Sequence, residues 1–281
     1  MNAEAIVSDV VERLKGVPGV VGIVLGGSRA KGTHTPESDI DIGIYYESEE
    51  TFDLESVRRA AAELDDEHRE DAVTALGEWG PWINGGGWLT VRGHPVDWLF
   101  RDAGKVARVT GECAAGDVTI DYYPGHPHGF TNAIYMAEIA LCKPLWDPRG
   151  FVAALKAKAT PYPAPLRRAI VAKFLWEASF SLNFAGKSVR RKDAYHAAGC
   201  LFRAASCLNQ TLFALNETHW MNETGALGIA DGFARKPERY MARANDVFAI
   251  LSAEPERIEE AIERMRELVR ETEALAAAVS L

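Results

Sequence analysis

The chain has little with which to cross a membrane or to staple itself together. Its apolar runs fall short of the roughly 18–20 residues that span a bilayer. Its first residues, MNAEAIVSDVVERLKG, mix acids into an amphipathic pattern foreign to a signal peptide. Only four cysteines occur in 281 residues (Cys113, Cys142, Cys200 and Cys207), with no CxxC and no Cys/His spacing typical of zinc. Cys200 and Cys207, seven apart, would share a helix face, and buried free thiols are expected. Together these absences point to the cytoplasm. Positive charge is also short: 31 Lys and Arg stand against 40 Asp and Glu, a formal net charge of −9. That balance argues against an extended nucleic-acid surface, which needs clustered cations. No internal repeat or low-complexity tract is present.

What remains is ordinary for a soluble globular chain, 47% hydrophobic and 25% charged, long enough for two domains. Ile6, Val7, Val10, Val11 and Leu14 follow a helical period. VPGVVGIVLGG then reads as a buried strand running into a tight turn, and Asp39 to Tyr46 as a second strand after the polar loop THTPES. A helix is expected over Leu54 to Glu67. Two strands are expected at Trp88 to Val91 and Val96 to Phe100, joined at Gly93-His94-Pro95, and a short one at Val118 to Tyr123. Beyond Thr131 the period is helical: Leu166 to Leu182, Leu201 to Leu215, and a terminal helix after Pro255. No strand is expected there. The fold expected is thus an α/β domain with a mixed sheet over residues 1–125, followed by an all-α bundle over 126–281. GHPHGF marks the boundary, and TPYPAP a second break near residue 160.

Chemistry concentrates between Gly26 and Ile44, GGSRAKGTHTPESDIDIGI. A strand ending in Gly-Gly-Ser and entering a helix brings backbone N–H groups close to an anion, with the Ser28 hydroxyl beside them. Asp39 and Asp41, two apart on a strand, project from one face, where they repel unless a cation lies between them. A divalent metal with hard oxygen ligands is the expected occupant. Asp97, an acid in the otherwise apolar HPVDWLF, would complete a site for two ions about 4 Å apart.

Gly27-Ser28, ten intervening residues and Asp39-Ile40-Asp41-Ile42 resemble the signature of the DNA polymerase β-like nucleotidyltransferase superfamily. Gly27 to Gly32 fit the GSxAxG version of its small-molecule and minimal branches. Asp97 stands where the family's third carboxylate appears. The resemblance covers about the first 100 residues and implies two Mg²⁺ ions held by Asp39, Asp41 and Asp97, with Gly27, Ser28 and Lys31 at the triphosphate. An α/β domain followed by a helical one is similar to the aminoglycoside and lincosamide nucleotidyltransferases, including the kanamycin enzymes of antibiotic resistance. That layout implies passage of AMP from ATP, or of another nucleotide, to a hydroxyl of a small acceptor, with release of pyrophosphate. Either Glu138, early in the helical part, or Asp97 itself would serve as general base.

Between Thr160 and Leu215 lie Arg167, Arg168, Lys173, Lys187, Arg190, Arg191, Lys192 and Arg203 against Glu177 and Asp193. They form either a solvated helix face or a positive wall, with Lys187, Arg190 and Lys192 placed to neutralise a triphosphate. Trp82, Trp88 and Trp98 are either core or the wall of a base or sugar pocket. His126 and His128 are either loop structure or substrate contacts, and nothing selects a role for His196. Two other readings stand: a nucleotidyltransferase that modifies a protein partner, as antitoxin-type enzymes would, and a non-catalytic nucleotide-binding regulator. The first has few of its usual features in a chain this long, and the second does not need three retained acids. The acceptor, the preferred triphosphate and a homodimeric state are not legible in the sequence.

Overall fold

A computed structural model of the chain describes residues 3–279. In chain order its elements are α1 (Ala3–Leu14), β1 (Val20–Leu25), α2 (Gly27–Lys31), β2 (Ile40–Tyr46), α3 (Leu54–Leu64), α4 (Gly80–Ile83), β3 (Gly86–Val91), β4 (His94–Asp102) and α5 (Ala103–Ala115). There follow β5 (Ile120–Tyr123), β6 (His126–Thr131), α6 (Ala133–Leu141), β7 (Lys143–Trp146), α7 (Phe151–Ala159), α8 (Ala164–Arg191) and α9 (Ala194–Leu215). The last are α10 (Ala226–Asp231), α11 (Tyr240–Ala249) and α12 (Pro255–Ala277). No helix among the described residues is long and apolar enough to cross a membrane.

Two compact units result, residues 1–111 with 135–161, and 112–134 with 162–281. A single cut at residue 125 does not coincide with them, because the chain leaves the first unit, returns through most of α6, β7 and α7, and leaves again. The first unit is a five-stranded mixed sheet in the order β3-β4-β2-β1-β7. β2 and β4 run parallel and the other neighbours antiparallel. Strict alternation along β2 sends Ile40, Ile42, Ile44 and Tyr46 into a core with Val96, Trp98 and Phe100 of β4 and Leu89 and Val91 of β3. The core-facing side chains of α1 (Ile6, Val10, Leu14) and α3 (Val57, Ala60, Ala61) close that layer. Each fully buried isoleucine contributes about 1.5–3 kcal/mol. The phase of these strands is therefore fixed, and the intervening residues must face the other way.

The differences from the sequence reading have local causes. The hairpin turns at Arg92-Gly93, both with positive φ, so that His94 and Pro95 already belong to β4. α3 stops at Leu64 because Asp65 turns away, buried and gripped by Arg69. GHPHGF is not a loop: β6 pairs antiparallel with β5. β7 is a strand where none was expected, an edge partner for β1.

In the second unit α8, α9 and α12 pack on one another. Glu177, Ala178 and Leu182 of α8 are buried, as is the run Ala204–Leu215 of α9. Tyr240 of α11 donates its hydroxyl to Asn209 Oδ1 at 2.9 Å, which satisfies both groups inside the bundle.

Candidate active site

On the sheet face opposite the core, β2 presents Asp41, Gly43 and Tyr45, β4 presents Asp97, Leu99 and Arg101, and β3 presents Trp88 and Thr90. Asp41 is the direct register partner of Asp97 across the parallel pair, and Asp97 that of Trp88 across the antiparallel pair. Asp39 lies exposed at the entrance to β2. The three acids are brought together. Burial, then Asp41 and then Asp39 push the Asp97 carboxyl up to about 6. Burial and Asp39 likewise raise Asp41, against the lowering influence of Lys31 and Arg29.

The glycine turn is built against this cluster. Gly26 N–H donates to the Asp41 carbonyl at 2.8 Å, and Gly27 adopts φ +56°. A Cβ on Gly27 would fall 1.7 Å from Asp41 Oδ2. Only glycine leaves the carboxylate room. Ser28 is half-buried in α2, and Lys31 is exposed at its end. Arg29 was missed by the sequence reading. Its guanidinium donates to the carbonyls of Ser38 (3.2 and 2.6 Å) and Asp39 (3.0 Å), tying the loop that delivers Asp39 to the turn. Its place in GSRAKG, next to the serine, was the available signal.

Three carboxylates, of which Asp41 and Asp97 have raised proton affinity, form a hard-oxygen donor set suited to a divalent cation. Without metal, the sign of the pH effect follows. Asp97 binds its proton more tightly folded than unfolded, so the stability from its raised pKa is full below about pH 4 and lost as pH passes 6. Asp97→Asn should therefore raise stability in EDTA at pH 7 by about 1–2 kcal/mol after solvent screening of this half-buried group. Urea unfolding at pH 4, 5, 6 and 7 measures it; an unchanged pH profile in the variant would remove Asp97 from the cluster.

Glu138 sits elsewhere on the same sheet face. Its carboxylate accepts two bonds from Arg101, Nε to Oε2 at 2.8 Å and an Nη to Oε1 at 2.6 Å. Burial works against the Arg101 charge, and Glu138 overcomes it, holding the guanidinium pKa above its ordinary value. A carboxylate occupied in this way is a poor proton acceptor. Glu138→Ala should cost about 3–5 kcal/mol by stranding a buried charge. Loss of turnover with full thermal stability would instead favour a general-base role.

Lys187, Arg190 and Lys192 are exposed at the end of α8, in the second unit, with Lys187 Nζ 4.1 Å over the Phe184 ring. Arg167 and Arg203 of the same basic stretch are ion-paired with Glu217 and Glu177. The tryptophans divide. Trp98 is fully buried, whereas Trp88 is 59% exposed and Trp79 lies tilted against it, ring centroids 4.4 Å apart. Trp82 carries Lys105 Nζ 4.7 Å over its ring. His126 lies 3.7 Å from Glu223. His128 is buried near Glu177 and Cys207. The His196 ring bonds the Ser188 hydroxyl at 2.7 Å, which accounts for its place on α9.

Residues 4–79 match the family model described as a nucleotidyltransferase domain, and residues 133–222 match a second described as a domain of unknown function, DUF4037. No curated protein matches the chain. Among solved structures, a nucleotidyltransferase-like protein from Exiguobacterium sibiricum 255-15 superposes with a TM-score of 0.48 and 11% identity, over 96% of this chain and 75% of its own.

Proposed function

We propose that this chain, whose residues 4–79 match the nucleotidyltransferase domain model, is a transferase of nucleotides that moves a nucleoside monophosphate, AMP from ATP, to a hydroxyl of a small molecule. The observation that carries this is the register pairing of Asp41 with Asp97 beside a glycine turn shaped around Asp41. Asp39, Asp41 and Asp97 would hold Mg²⁺, which when bound neutralises triphosphate charge and acidifies the attacking hydroxyl. Across the face the order is Trp88, Asp97, Asp41 and then the Gly26–Ser28 turn on the β1 side. The triphosphate belongs at the turn, where Gly27, Ser28 and Lys31 offer N–H, hydroxyl and ammonium donors. The acceptor belongs at the other end, beside Asp97 and the exposed ring of Trp88.

The acceptor oxygen attacks the α-phosphorus, the bond to the β-phosphate breaks, and pyrophosphate leaves. The hydroxyl proton passes to Asp97, which lies on the acceptor side of the cluster. Glu138, held by Arg101, is left to support the sheet. A net charge of −9 suits a cationic acceptor such as an aminoglycoside.

The test is transfer of label from ATP marked at the α-phosphate, with Mg²⁺ and a panel of aminoglycosides. Labelled acceptor with equimolar pyrophosphate is expected. Binding of Mg-ATP without transfer to any of them would sink the aminoglycoside reading, and absence of Mg-ATP binding would sink nucleotidyl transfer at this site.

A further inference from the structure

The second unit holds a polar cluster with no part in the reaction above. His128 on β6, Glu177 on α8 and Cys207 on α9 bring one nitrogen, one oxygen and one sulfur within 4.8 Å of one another. The side chains of His128 and Glu177 are 1% and 11% exposed, and Cys207 is fully buried. Cys207 Sγ lies 3.5 Å and Glu177 Oε1 3.8 Å from the same atom, His128 Nε2. The second distance is too long for a hydrogen bond. Nor can one imidazole nitrogen both accept from a thiol and donate to a carboxylate. His128 Nδ1 has no hydrogen-bond partner among the described residues.

The two distances from His128 Nε2 are near those between ligands of one ion, and the third pair lies within 4.8 Å. Bonds of about 2.0–2.3 Å at tetrahedral angles place neighbouring donors about 3.3–3.7 Å apart. Sulfur, imidazole and carboxylate together select a borderline ion such as zinc over Mg²⁺ or Ca²⁺. The carboxylate already has an outer partner, since Arg203 Nε donates to Glu177 Oε1, as ligating carboxylates commonly require. Glu177 also lines a groove with Phe180, Ser181, His196 and Arg203, which gives an ion a route in.

We propose that His128, Glu177 and Cys207 form a zinc-class site, with water in the fourth position, that ties β6 to α8 and α9. Binding converts the Cys207 thiol to thiolate and releases its proton to solvent. The site is independent of the acids on the first unit and of the nucleotide reading.

The experiment is Co²⁺ titration of the chelator-stripped full chain, followed by absorption. One equivalent giving a thiolate-to-cobalt charge-transfer band in the near ultraviolet is expected, with displacement by Zn²⁺. The band should persist in Asp39→Asn/Asp41→Asn and vanish in Cys207→Ser. Glu177→Gln should weaken Co²⁺ binding by about tenfold or more. A wild-type chain with no such band in excess Co²⁺ overturns the proposal whatever the variants do. So does a band that survives Cys207→Ser.

Discussion

Replacing Asp39 and Asp41 together by Asn should lower metal-dependent nucleotidyl transfer by at least about three orders of magnitude, with no loss of stability in EDTA. A divalent ion contributes several kcal/mol to a displacement at phosphorus, and each 1.36 kcal/mol is tenfold in rate. Both substitutions remove hard-oxygen charge from the cluster. Neither disturbs what holds it in place. Ile40 and Ile42, both fully buried, fix the phase of β2 around Asp41. Arg29 grips the carbonyl of Asp39 rather than its side chain.

The stability side of this expectation comes from repulsion. Asp39 and Asp41 each push the Asp97 carboxyl upward, and Asp39 does the same to Asp41. Neutral amides at two of the three positions relieve that strain, so the variant should melt no lower than the parent without metal. With Mg²⁺ at 100 times its Kd the parent should gain about 2.7 kcal/mol, and the variant nothing. Melting with and without Mg²⁺, beside label transfer, reads both halves. A variant that transfers nucleotide at the parent rate would end the assignment of a metal site to this strand.

The turn and strand from Gly26 to Ile44 were legible in the sequence because their signals are local. Glycines mark the turn, and a two-residue period places both acids on one face. Asp97 was legible as an acid whose strand neighbours are apolar, though its register opposite Asp41 was not. The same period separates the tryptophans: Trp98, next to Asp97, must face the core, and Trp88, opposite it, must not. What escaped depends on distant partners. β7 reads KPLW, four residues that acquire strand character only by lying along β1. β6 contains proline, glycine and two histidines, the vocabulary of a loop, and is a strand because β5 pairs with it. Glu138 was a candidate general base by its place in the chain; Arg101, 37 residues earlier, occupies it. The meeting of His128, Glu177 and Cys207 from three elements has no spacing that could announce it.

Gly27→Ala carries the second large effect, and it should be far more damaging to rate than to fold. At φ +56° an alanine costs about 1–2 kcal/mol of backbone strain. Its Cβ would also fall 1.7 Å from Asp41 Oδ2 and 2.6 Å from Cγ. The turn cannot retreat, because Gly26 is hydrogen-bonded to the Asp41 carbonyl, so the flexible carboxylate must swing aside. That movement is cheap for stability, but it displaces a proposed metal ligand by an ångström or more, a misplacement worth about 100-fold in rate. Gly32→Ala supplies the control. Gly32 has φ +75° and nothing within 4 Å of its would-be Cβ, so it bears a similar backbone cost without touching an acid. Unfolding should show similar losses for the two variants, while label transfer falls about 100-fold in Gly27→Ala and only a few-fold in Gly32→Ala. Equal activity in the two would mean that the position of the Asp41 carboxylate does not matter to the reaction.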